Sequence, residues 1–562
     1  MGKFVREISE KFSSATSVRQ FLSLFVFLTV CLLMTVFSYE FFRHTEADRT
    51  LIAVEMMQGG DFLYPHLVGS KILTKPPLYY WFLAAIIKLF NSFDEWVVRL
   101  SSVISALFLF TVISFTTSKI KNSFSYGLIL SIFSLISFGS LQKGSVAEID
   151  MFFVSLFTSG VLFCALGTTK KEFLYIIIGY LLGGLSVLAK GIPGMVFSLS
   201  INFVSLIITI AFSYFEKCSL KLDTNTNLIK DILFNNKKLI VWHLVSLVLF
   251  FLVVLCWPFL LYLREGSGII DEFLFQLKIE VLDRAIGDAR IKRGTLFYIK
   301  DQFFVLMPWS IPLIYALILY VKKIKISNFF KVKKIDSRFI SQLFREDNFI
   351  SIFSTISFFI ILIPLSVSSG KASRYGYPLV VFSSMMLLEF YLYFAGKSSK
   401  FSKIINPSSL FYGLVLVFFL RVVEGSFFAT YRNESKSVQP MVKQLSTMLP
   451  ENKLYTIEFF ERWVSYYLLK DYGIKTERIT DQLISELARK PRKIRVLISE
   501  KEESWRIDQL SKESCDVKVI NRFNNLPNPA ILVEVSSDKL EAIRPHPFFP
   551  TRPSLPYYWN SY

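Results

Sequence analysis

The sequence predicts a mainly α-helical, polytopic membrane protein that ends in a small α/β domain. Hydrophobic residues make up 52% of the 562 residues, and the mean hydropathy is +0.46. Apolar runs of about 17 to 25 residues, the length that an α-helix needs to cross a bilayer, recur up to about residue 430. Beyond that point short β-branched runs alternate with amphipathic ones. We therefore expect a transmembrane domain at 1–430 and a soluble domain at 431–562.

The transmembrane domain is predicted to contain about eleven spans. The first apolar run is long for a signal peptide and has no small-residue cleavage site, so we expect it to be retained. The apolar runs lie near 20–39, 97–118, 123–141, 151–167, 173–189, 193–214, 240–262, 301–321, 349–368, 376–396 and 408–430.

The distribution of basic residues predicts how the spans are oriented. Lysines and arginines concentrate in loops, such as 322–345, that fall on one side if the spans alternate. Cytoplasmic loops are enriched in Lys and Arg, so we assign this side to the cytoplasm. The outer side then receives 46–75, 142–150, 190–193, 264–300, 368–378 and the residues after about 430.

Charge and cysteine content exclude two other classes of function. The formal net charge of +19 follows the predicted topology, and the chain has no basic, aromatic-rich soluble domain, so nucleic-acid binding is not predicted. The five cysteines have no paired spacing, so neither a disulfide framework nor a thiolate metal site is predicted.

The first outer loop carries the densest group of charged residues. A Lys-Pro-Pro turn at 75–77 stops any preceding helix, and the apolar stretch 78–90 can lie along the membrane interface. A lysine there can simply snorkel to the surface. However, a reaction that releases a phosphate needs cations for the leaving group and a carboxylate for the incoming hydroxyl. The candidates are Glu46 and Asp48 as catalytic residues, and Arg49, Lys75 and Tyr79 as substrate-binding residues.

Two further candidates lie where predicted spans begin or end on the outer side. Asp150 starts a span, where a carboxylate also stabilises the helix dipole, and Lys190 ends one, where a lysine does the same. Ionisable groups at membrane depth are nevertheless functional candidates. We therefore predict a catalytic role for Asp150 and a substrate-binding role for Lys190.

The last two outer loops are predicted to bind anions. The loop 264–300 contains a basic cluster that could be a solvated charge run but also suits phosphate groups. The turn 370–378 is bounded by glycine and proline and presents two cations. The predicted substrate-binding residues are Arg284, Arg293, Lys371, Arg374 and Tyr375.

Taken in order, these segments resemble the bacterial GT-C membrane glycosyltransferases. The likeness is greatest to the aminoarabinose (lipid A) transferase and dolichyl-phosphate-mannose protein mannosyltransferase-like branch, and it covers about residues 15–400. The segments that carry it are TEADRTLIAVEMMQGGDFLYPHLVGSKILTKPPLYYW at 45–81, VVRLSS at 97–102, AEIDMFF at 147–153, GLSVLAKGIPG at 184–194, KRGTLFYIKDQFFVLMPW at 292–309 and GKASRYGYP at 370–378.

The resemblance implies an inverting transfer of a sugar from a polyprenyl-phosphate donor on the periplasmic side of the bacterial inner membrane. Asp150 falls on the family's second-loop aspartate, and 371–375 on its Lys-x-x-Arg-Tyr turn. The first motif departs from the family pattern, which leaves the base open between Glu46 and Asp48. Thr74 replaces an acidic residue before the Lys-Pro turn, so a divalent metal is possible but not required.

The acceptor implied by the resemblance is lipid A or a related glycolipid, with protein O-glycosylation as the alternative. A transporter or flippase for a lipid-linked sugar is the competing class. Such a protein buries charges near the bilayer midplane in broken helices, whereas the predicted spans carry few charges.

The C-terminal region reads as a separate α/β domain on the outer side. The predicted strands are Leu454–Phe460, Ile494–Ser499, Val517–Ile520 and Ala530–Val535, with helices at Glu461–Leu469 and Ile479–Ala488.

Overall fold

A computed structural model confirms the predicted class, since most of its elements are helices and its larger sheet lies near the C terminus. The described residues are 14–38, 40, 44–219, 234–278, 293–314, 348–397, 407–449, 453–456, 462–478, 493–499, 517–523 and 530–536. In this part of the chain nine helices are long and apolar enough to cross a membrane.

The helices are numbered in chain order. They are α1 Ser14–Val36, α2 His44–Gly59, α3 Leu78–Phe90, α4 Glu95–Lys121, α5 Phe124–Leu135, α6 Phe138–Gly144, α7 Ile149–Lys170, α8 Phe173–Lys190, α9 Ile192–Ser219, α10 Lys237–Glu265, α11 Gly268–Lys278, α12 Phe297–Val305, α13 Phe349–Val367, α14 Val380–Lys397, α15 Pro407–Val423, α16 Ala429–Lys436, α17 Gln439–Thr447 and α18 Arg462–Tyr472. A 3₁₀-helix, Ser373–Leu379, precedes α14, and a π-helical turn, Glu424–Phe428, joins α15 to α16.

Two of the eleven predicted spans are interrupted. The run at 123–141 forms α5 and α6, which are bent by 73° relative to each other. The run at 301–321 begins inside α12 and leaves the helix before Pro308, whose ring and missing N–H disfavour a helix interior; its part from 315 onward lies outside the described residues. The two interruptions supply hydrogen-bond partners to each other. Phe138 N–H donates to Met307 O at 2.8 Å, and Trp309 Nε1 donates to Ile136 O at 2.7 Å.

The chain forms two compact units. The first comprises Met1–Met34, Ser102–Ile270 and Val281–Val423, and the second comprises Thr35–Ser101, Asp271–Glu280 and Glu424–Tyr562. The C-terminal residues thus share a unit with the first outer loop. The proposed division at 430/431 stays a prediction.

Glycines set the spacing of α7 and α8 in the first unit. A Cβ added to Gly160 would lie 2.8 Å from Gly179 O, and one added to Gly179 would lie 2.7 Å from Cys164 N. Small residues at such contacts let the two backbones approach closely, which is how helices associate where lipid removes the hydrophobic drive. The close contact aligns the antiparallel pair, so that the beginning of α7 lies beside the end of α8.

The first outer loop has regular structure in the second unit. Helix α3 forms over the predicted interfacial stretch and ends at Asn91, whose left-handed backbone lets its N–H bond the carbonyls of Ile87 and Lys88. A short hairpin of β1 His66–Leu67 and β2 Ser70–Lys71 lies between α2 and α3. The carboxylate of Glu55 in α2 accepts the N–H groups of the hairpin turn, Val68 at 2.7 Å and Gly69 at 3.1 Å.

The C-terminal sheet also belongs to the second unit. Its strands are β3 Lys453–Thr456, β4 Lys475–Arg478, β5 Lys493–Ser499, β6 Val517–Phe523 and β7 Ala530–Ser536, in the order β4-β3-β5-β7-β6. The β4-β3-β5 pairs are parallel and the β5-β7-β6 pairs antiparallel. The four predicted strands are confirmed, the first of them up to Thr456, since 457–460 lie outside the described residues. Strand β4 was not predicted because its charged sequence, KTER, lacks an apolar face. The predicted helix at 479–488 lies outside the described residues.

Candidate functional site

In the first unit, Asp150 and Lys190 form an ion pair. Asp150 lies in the first turn of α7 and is buried, and its Oδ1 accepts a short hydrogen bond from Lys190 Nζ at the last residue of α8. Gly191 follows with a φ of +81°, a conformation that ends the helix directly after the lysine. The two residues, which the sequence analysis singled out separately, are thus in direct contact.

A second lysine, which the sequence analysis did not single out, completes this group. Lys143 in α6 lies 2.6 Å from Glu148 Oε2 and 3.5 Å from Asp150 Oδ2. Lys143 and Asp150 lie in different helices, so helical periodicity could not reveal the contact. The bend between α5 and α6 changes the course of the chain just before Lys143.

The 370–378 turn brings aromatic and cationic groups to the same region. The Lys190 ammonium lies 6.0 Å from the ring centre of Tyr375, and the Arg374 guanidinium lies 5.3 Å from the same ring. Two cations therefore lie close to the ring of Tyr375. Lys371 turns back, and its Nζ donates to Ser368 O at 2.7 Å.

Helix α12 is hydrogen-bonded to this turn through two of its side chains. The Tyr298 hydroxyl accepts the N–H of Ala372 at 3.3 Å, and Gln302 Nε2 donates to Gly376 O at 3.0 Å. Burial raises the pKa of Asp301, although a hydrogen bond with Ser373 and the charges of Lys143 and Arg293 act in the opposite direction. Asp301 is a further carboxyl group of this region that the sequence analysis did not predict.

The remaining predicted anion-binding residues are Arg293 and Arg284. The Arg293 guanidinium lies 4.6 Å from the ring centre of Phe297, which leaves it at the start of α12. Arg284 lies outside the described residues.

In the second unit, Glu46 belongs to a buried ion pair. Its Oε1 lies 3.0 Å from Nε of Arg99, and the exposed fractions of the two side chains are 2% and 1%. The other nitrogens of Arg99 donate to backbone carbonyls, Val36 O at 2.9 Å and Glu40 O at 3.1 Å. Arg99 lies in the VVRLSS segment and was not predicted as a site residue.

Asp48 and Arg49 lie in the first turns of α2 and are buried. Arg49 Nη1 donates to the Tyr80 hydroxyl at 2.6 Å. Burial raises the pKa of Tyr80, so the hydroxyl stays protonated. Although burial opposes the charged form of Arg49, Tyr80 and Asp48 raise its pKa above the ordinary value.

Lys75 and Tyr79 flank the Pro-Pro turn. Lys75 is buried, with an exposed fraction of 8%. Tyr79 is buried completely, and its hydroxyl shares a 3.1 Å hydrogen bond with Ser101 Oγ. The ring of Tyr79 is therefore packed inside the unit, although the stretch 78–90 was predicted to lie along the membrane interface. Asp61 of the Gly-Asp-Phe motif forms a turn by accepting the N–H groups of Leu63 and Tyr64.

A metal site is not built from these carboxylates alone. Within the described ranges, no three His, Cys, Asp or Glu side chains converge so that they could hold an ion.

The fold, with charged groups at the ends of its apolar helices, defines a polytopic membrane protein. Residues 74–215 match the family described as dolichyl-phosphate-mannose-protein mannosyltransferase. The chain is also similar to ArnT from Cupriavidus metallidurans. The structure of that ArnT with bound undecaprenyl phosphate matches with a TM-score of 0.58 and 14% sequence identity. The match covers 93% of this chain and 98% of the ArnT chain.

The apo structure of the same ArnT gives a TM-score of 0.56 at 14% identity, covering 95% of this chain and 100% of its own. Identity this low establishes the fold rather than the reaction. The resemblance inferred from the motifs is therefore confirmed, and the chain has an ArnT-like fold.

The ion pair of Glu46 predicts a structural role for Arg99. Substituting Arg99→Met leaves a buried carboxylate without its partner, which costs about 3–5 kcal/mol. We expect the detergent-solubilised variant to unfold at a clearly lower temperature than the parent protein. Lys88→Met, which alters an exposed lysine of α3, is the control and should leave the unfolding temperature unchanged. An unchanged stability of Arg99→Met would contradict this role.

Proposed function

We propose that the protein is a membrane glycosyltransferase that moves a sugar from an undecaprenyl-phosphate-type donor to lipid A or a related glycolipid. The observation that carries the proposal is the family match at 74–215, which contains Lys75, Asp150 and Lys190, within an ArnT-like fold. The undecaprenyl phosphate bound to the ArnT of similar fold supports the choice of donor.

In the proposed reaction an acceptor hydroxyl attacks the anomeric carbon of the sugar from the face opposite the phosphate. The bond between the anomeric carbon and the phosphate oxygen breaks, prenyl phosphate leaves, and the configuration is inverted. The hydroxyl proton passes to a carboxylate, which is general base catalysis. Cations stabilise the charge that grows on the departing phosphate and so act more strongly in the transition state than in the ground state.

We assign the residues as follows. Asp48 accepts the proton, and Asp150, held by Lys143 and Lys190, orients the acceptor. Glu46 has a positioning role, because its carboxylate is already engaged by Arg99 in a buried ion pair. The donor phosphate and the acceptor anions are bound by Arg49, Lys75, Lys190, Arg284, Arg293, Lys371, Arg374 and Tyr375.

Protein O-glycosylation is the second candidate, because the matching family is described as a protein mannosyltransferase. Mass spectrometry of lipid A from a deletion strain separates the two. We expect one lipid A sugar substituent to disappear, whereas unchanged lipid A together with loss of glycosylated protein would favour the alternative.

A transporter for a lipid-linked sugar fits the buried charges less well. Arg421 is buried in a candidate span, but its guanidinium binds Cys31 O near the end of α1 and Ser145 Oγ in an outer loop. Glu389 of α14 lies 2.9 Å from Lys121, the last residue of α4. Both charges are therefore satisfied by groups near the ends of neighbouring helices rather than at a midplane site.

The distinction between Asp48 and Glu46 predicts different outcomes for two similar substitutions. Asp48→Asn should lower turnover by roughly 10²–10⁴-fold, the usual loss when a general base is removed, in protein that still folds. Glu46→Gln should lower the unfolding temperature, because it weakens the buried pair with Arg99. Both quantities are measured on purified protein in liposomes. Parental turnover in Asp48→Asn would exclude Asp48 as the base.

Lys75 provides the sharpest test of transferase against transporter. Lys75→Ala should slow sugar transfer by about 10²–10³-fold, the loss typical of removing one transition-state donor, and Lys75→Arg should restore it only in part because the planar fork differs from a point charge. The assay uses the full chain in liposomes with an undecaprenyl-phosphate-linked sugar.

The matched control is Lys71→Ala, an exposed lysine of the same loop whose ammonium lies 4.5 Å from the Tyr64 ring centre. It should transfer sugar at the parental rate. The proposal fails if Lys75→Ala is fully active, or if the parent protein moves the donor across the bilayer without breaking the sugar–phosphate bond.

The proposed orientation places the reacting groups and the C-terminal domain in the periplasm and the basic loops in the cytoplasm. It follows from the positive-inside rule. Single cysteines introduced at positions 225, 335 and 400 should be labelled from the cytoplasm, and those at 145, 285 and 500 from the periplasm. Cytoplasmic labelling at 500 would overturn the orientation of the C-terminal domain.

A further inference from the structure

The C-terminal part of the chain holds the segment that precedes α4. Three side chains of α18 reach it: Tyr466 donates to Phe93 O at 2.8 Å, Tyr467 donates to Glu95 Oε1 at 2.7 Å, and Lys470 Nζ lies 2.6 Å from Glu95 Oε2. Lys470 also lies 3.3 Å from Asp94. The first residue of α4 is therefore bound through both of its carboxylate oxygens.

A second set of contacts joins the same region to the chain after α1. Asn433 Nδ2 donates to Ser38 O at 3.0 Å, and its Oδ1 accepts the N–H of Glu40 at 3.3 Å. Ser437 Oγ donates to the carboxylate of Glu40 at 2.9 Å. Helix α18 thus binds the chain at 93–95, and the end of α16 binds it at 38–40. These two points lie on either side of the first outer loop.

Both sets of contacts converge on Arg99. Glu95 and Arg99 are one helical turn apart in α4, so that fixing the first constrains the second. The carbonyl of Glu40 accepts a hydrogen bond from Arg99 Nη2, and Arg99 Nε binds Glu46. Glu46 lies in the first turn of α2, two residues before Asp48. A continuous path of hydrogen bonds and helix backbone therefore leads from α18 to this carboxylate pair.

The ion pair between α18 and α4 is maintained at neutral pH. Burial alone would lower the pKa of Lys470, but its hydrogen bonds and the charges of Glu95 and Asp94 raise it above the ordinary value. The ammonium therefore stays charged at neutral pH. The rings of Phe93 and Tyr466 pack edge to face beside it, with their centres 6.1 Å apart.

We propose that the C-terminal domain positions the first outer loop for catalysis, with Lys470 and Tyr467 acting through Glu95 and Arg99 on Glu46 and Asp48. The inference rests on the proposed transferase activity and assigns the domain a part in it. These residues are positioning residues, since they do not touch the reacting groups. Small displacements of reacting groups reduce turnover strongly while leaving donor binding nearly intact.

The test compares Lys470→Met with Lys453→Met in the full-length protein in liposomes, with an undecaprenyl-phosphate-linked sugar as donor. Lys453 forms an ion pair with Glu477 between strands of the same domain and has no part in the path. We expect kcat of Lys470→Met to fall roughly tenfold with KM for the donor within about twofold of the parent. Lys453→Met should match the parent, and Lys470→Arg should recover most of the activity because it keeps the charge.

A double-mutant cycle that combines Lys470→Met with Glu46→Gln distinguishes a positioning role from a general loss of stability. If Lys470 acts through Arg99 and Glu46, then Lys470→Met should add little further loss of kcat in the Glu46→Gln background, whereas independent effects multiply. Tyr467→Phe, which removes a single hydroxyl, serves as the second variant if Lys470→Met folds poorly, and should lower kcat by about threefold.

The inference is overturned if Lys470→Met and Tyr467→Phe keep parental kcat, or if the effects of Lys470→Met and Glu46→Gln multiply. Its failure can be told from failure of the proposed function, because in the second case the parent protein transfers no sugar at all.

Discussion

The buried guanidinium of Arg99 is the interaction on which the arrangement of the first outer loop depends. An arginine has several N–H donors in a fixed plane, and each donor that is buried without an acceptor costs free energy. Arg99 meets this requirement with the carbonyls of Val36 and Glu40 and the carboxylate of Glu46. The end of α1, the beginning of α2 and the first turns of α4 are therefore fixed by one side chain. Asp48 and Arg49 owe their position to this constraint.

A different constraint organises the charged group of the first unit. Glycines at the contact between α7 and α8 let the two backbones approach closely, and the antiparallel pair then places Asp150 beside Lys190. Lys143 reaches the same carboxylate because the chain bends between α5 and α6. The backbone groups freed at that bend bind the chain around Met307, so irregular structure within the bundle remains satisfied.

Each of the two groups contains both the cations and the carboxylates that the proposed sugar transfer requires. Cations and aromatic rings at the ends of membrane helices suit a phosphate whose prenyl tail stays in the bilayer. Carboxylates held by buried or partly buried ion pairs are pre-organised, and such preorganisation lowers the cost of reaching the transition state. Helices α16 and α18 belong to the same unit as the first loop and share hydrogen bonds and packing with it, which agrees with the proposed positioning role.

The sequence by itself determined the class of fold, a helix over 78–90, four strands of the C-terminal sheet, and the positions of Asp150 at the start of one helix and Lys190 at the end of another. These features follow from hydropathy, from proline and glycine positions, and from ordered motifs, all of which are local properties. Only the tertiary structure showed that Glu46 is committed to Arg99, 53 residues away along the chain, and that Lys143 and Asp301 join the region of Asp150. No local pattern encodes which distant donor meets which acceptor, because that choice is made by helix packing.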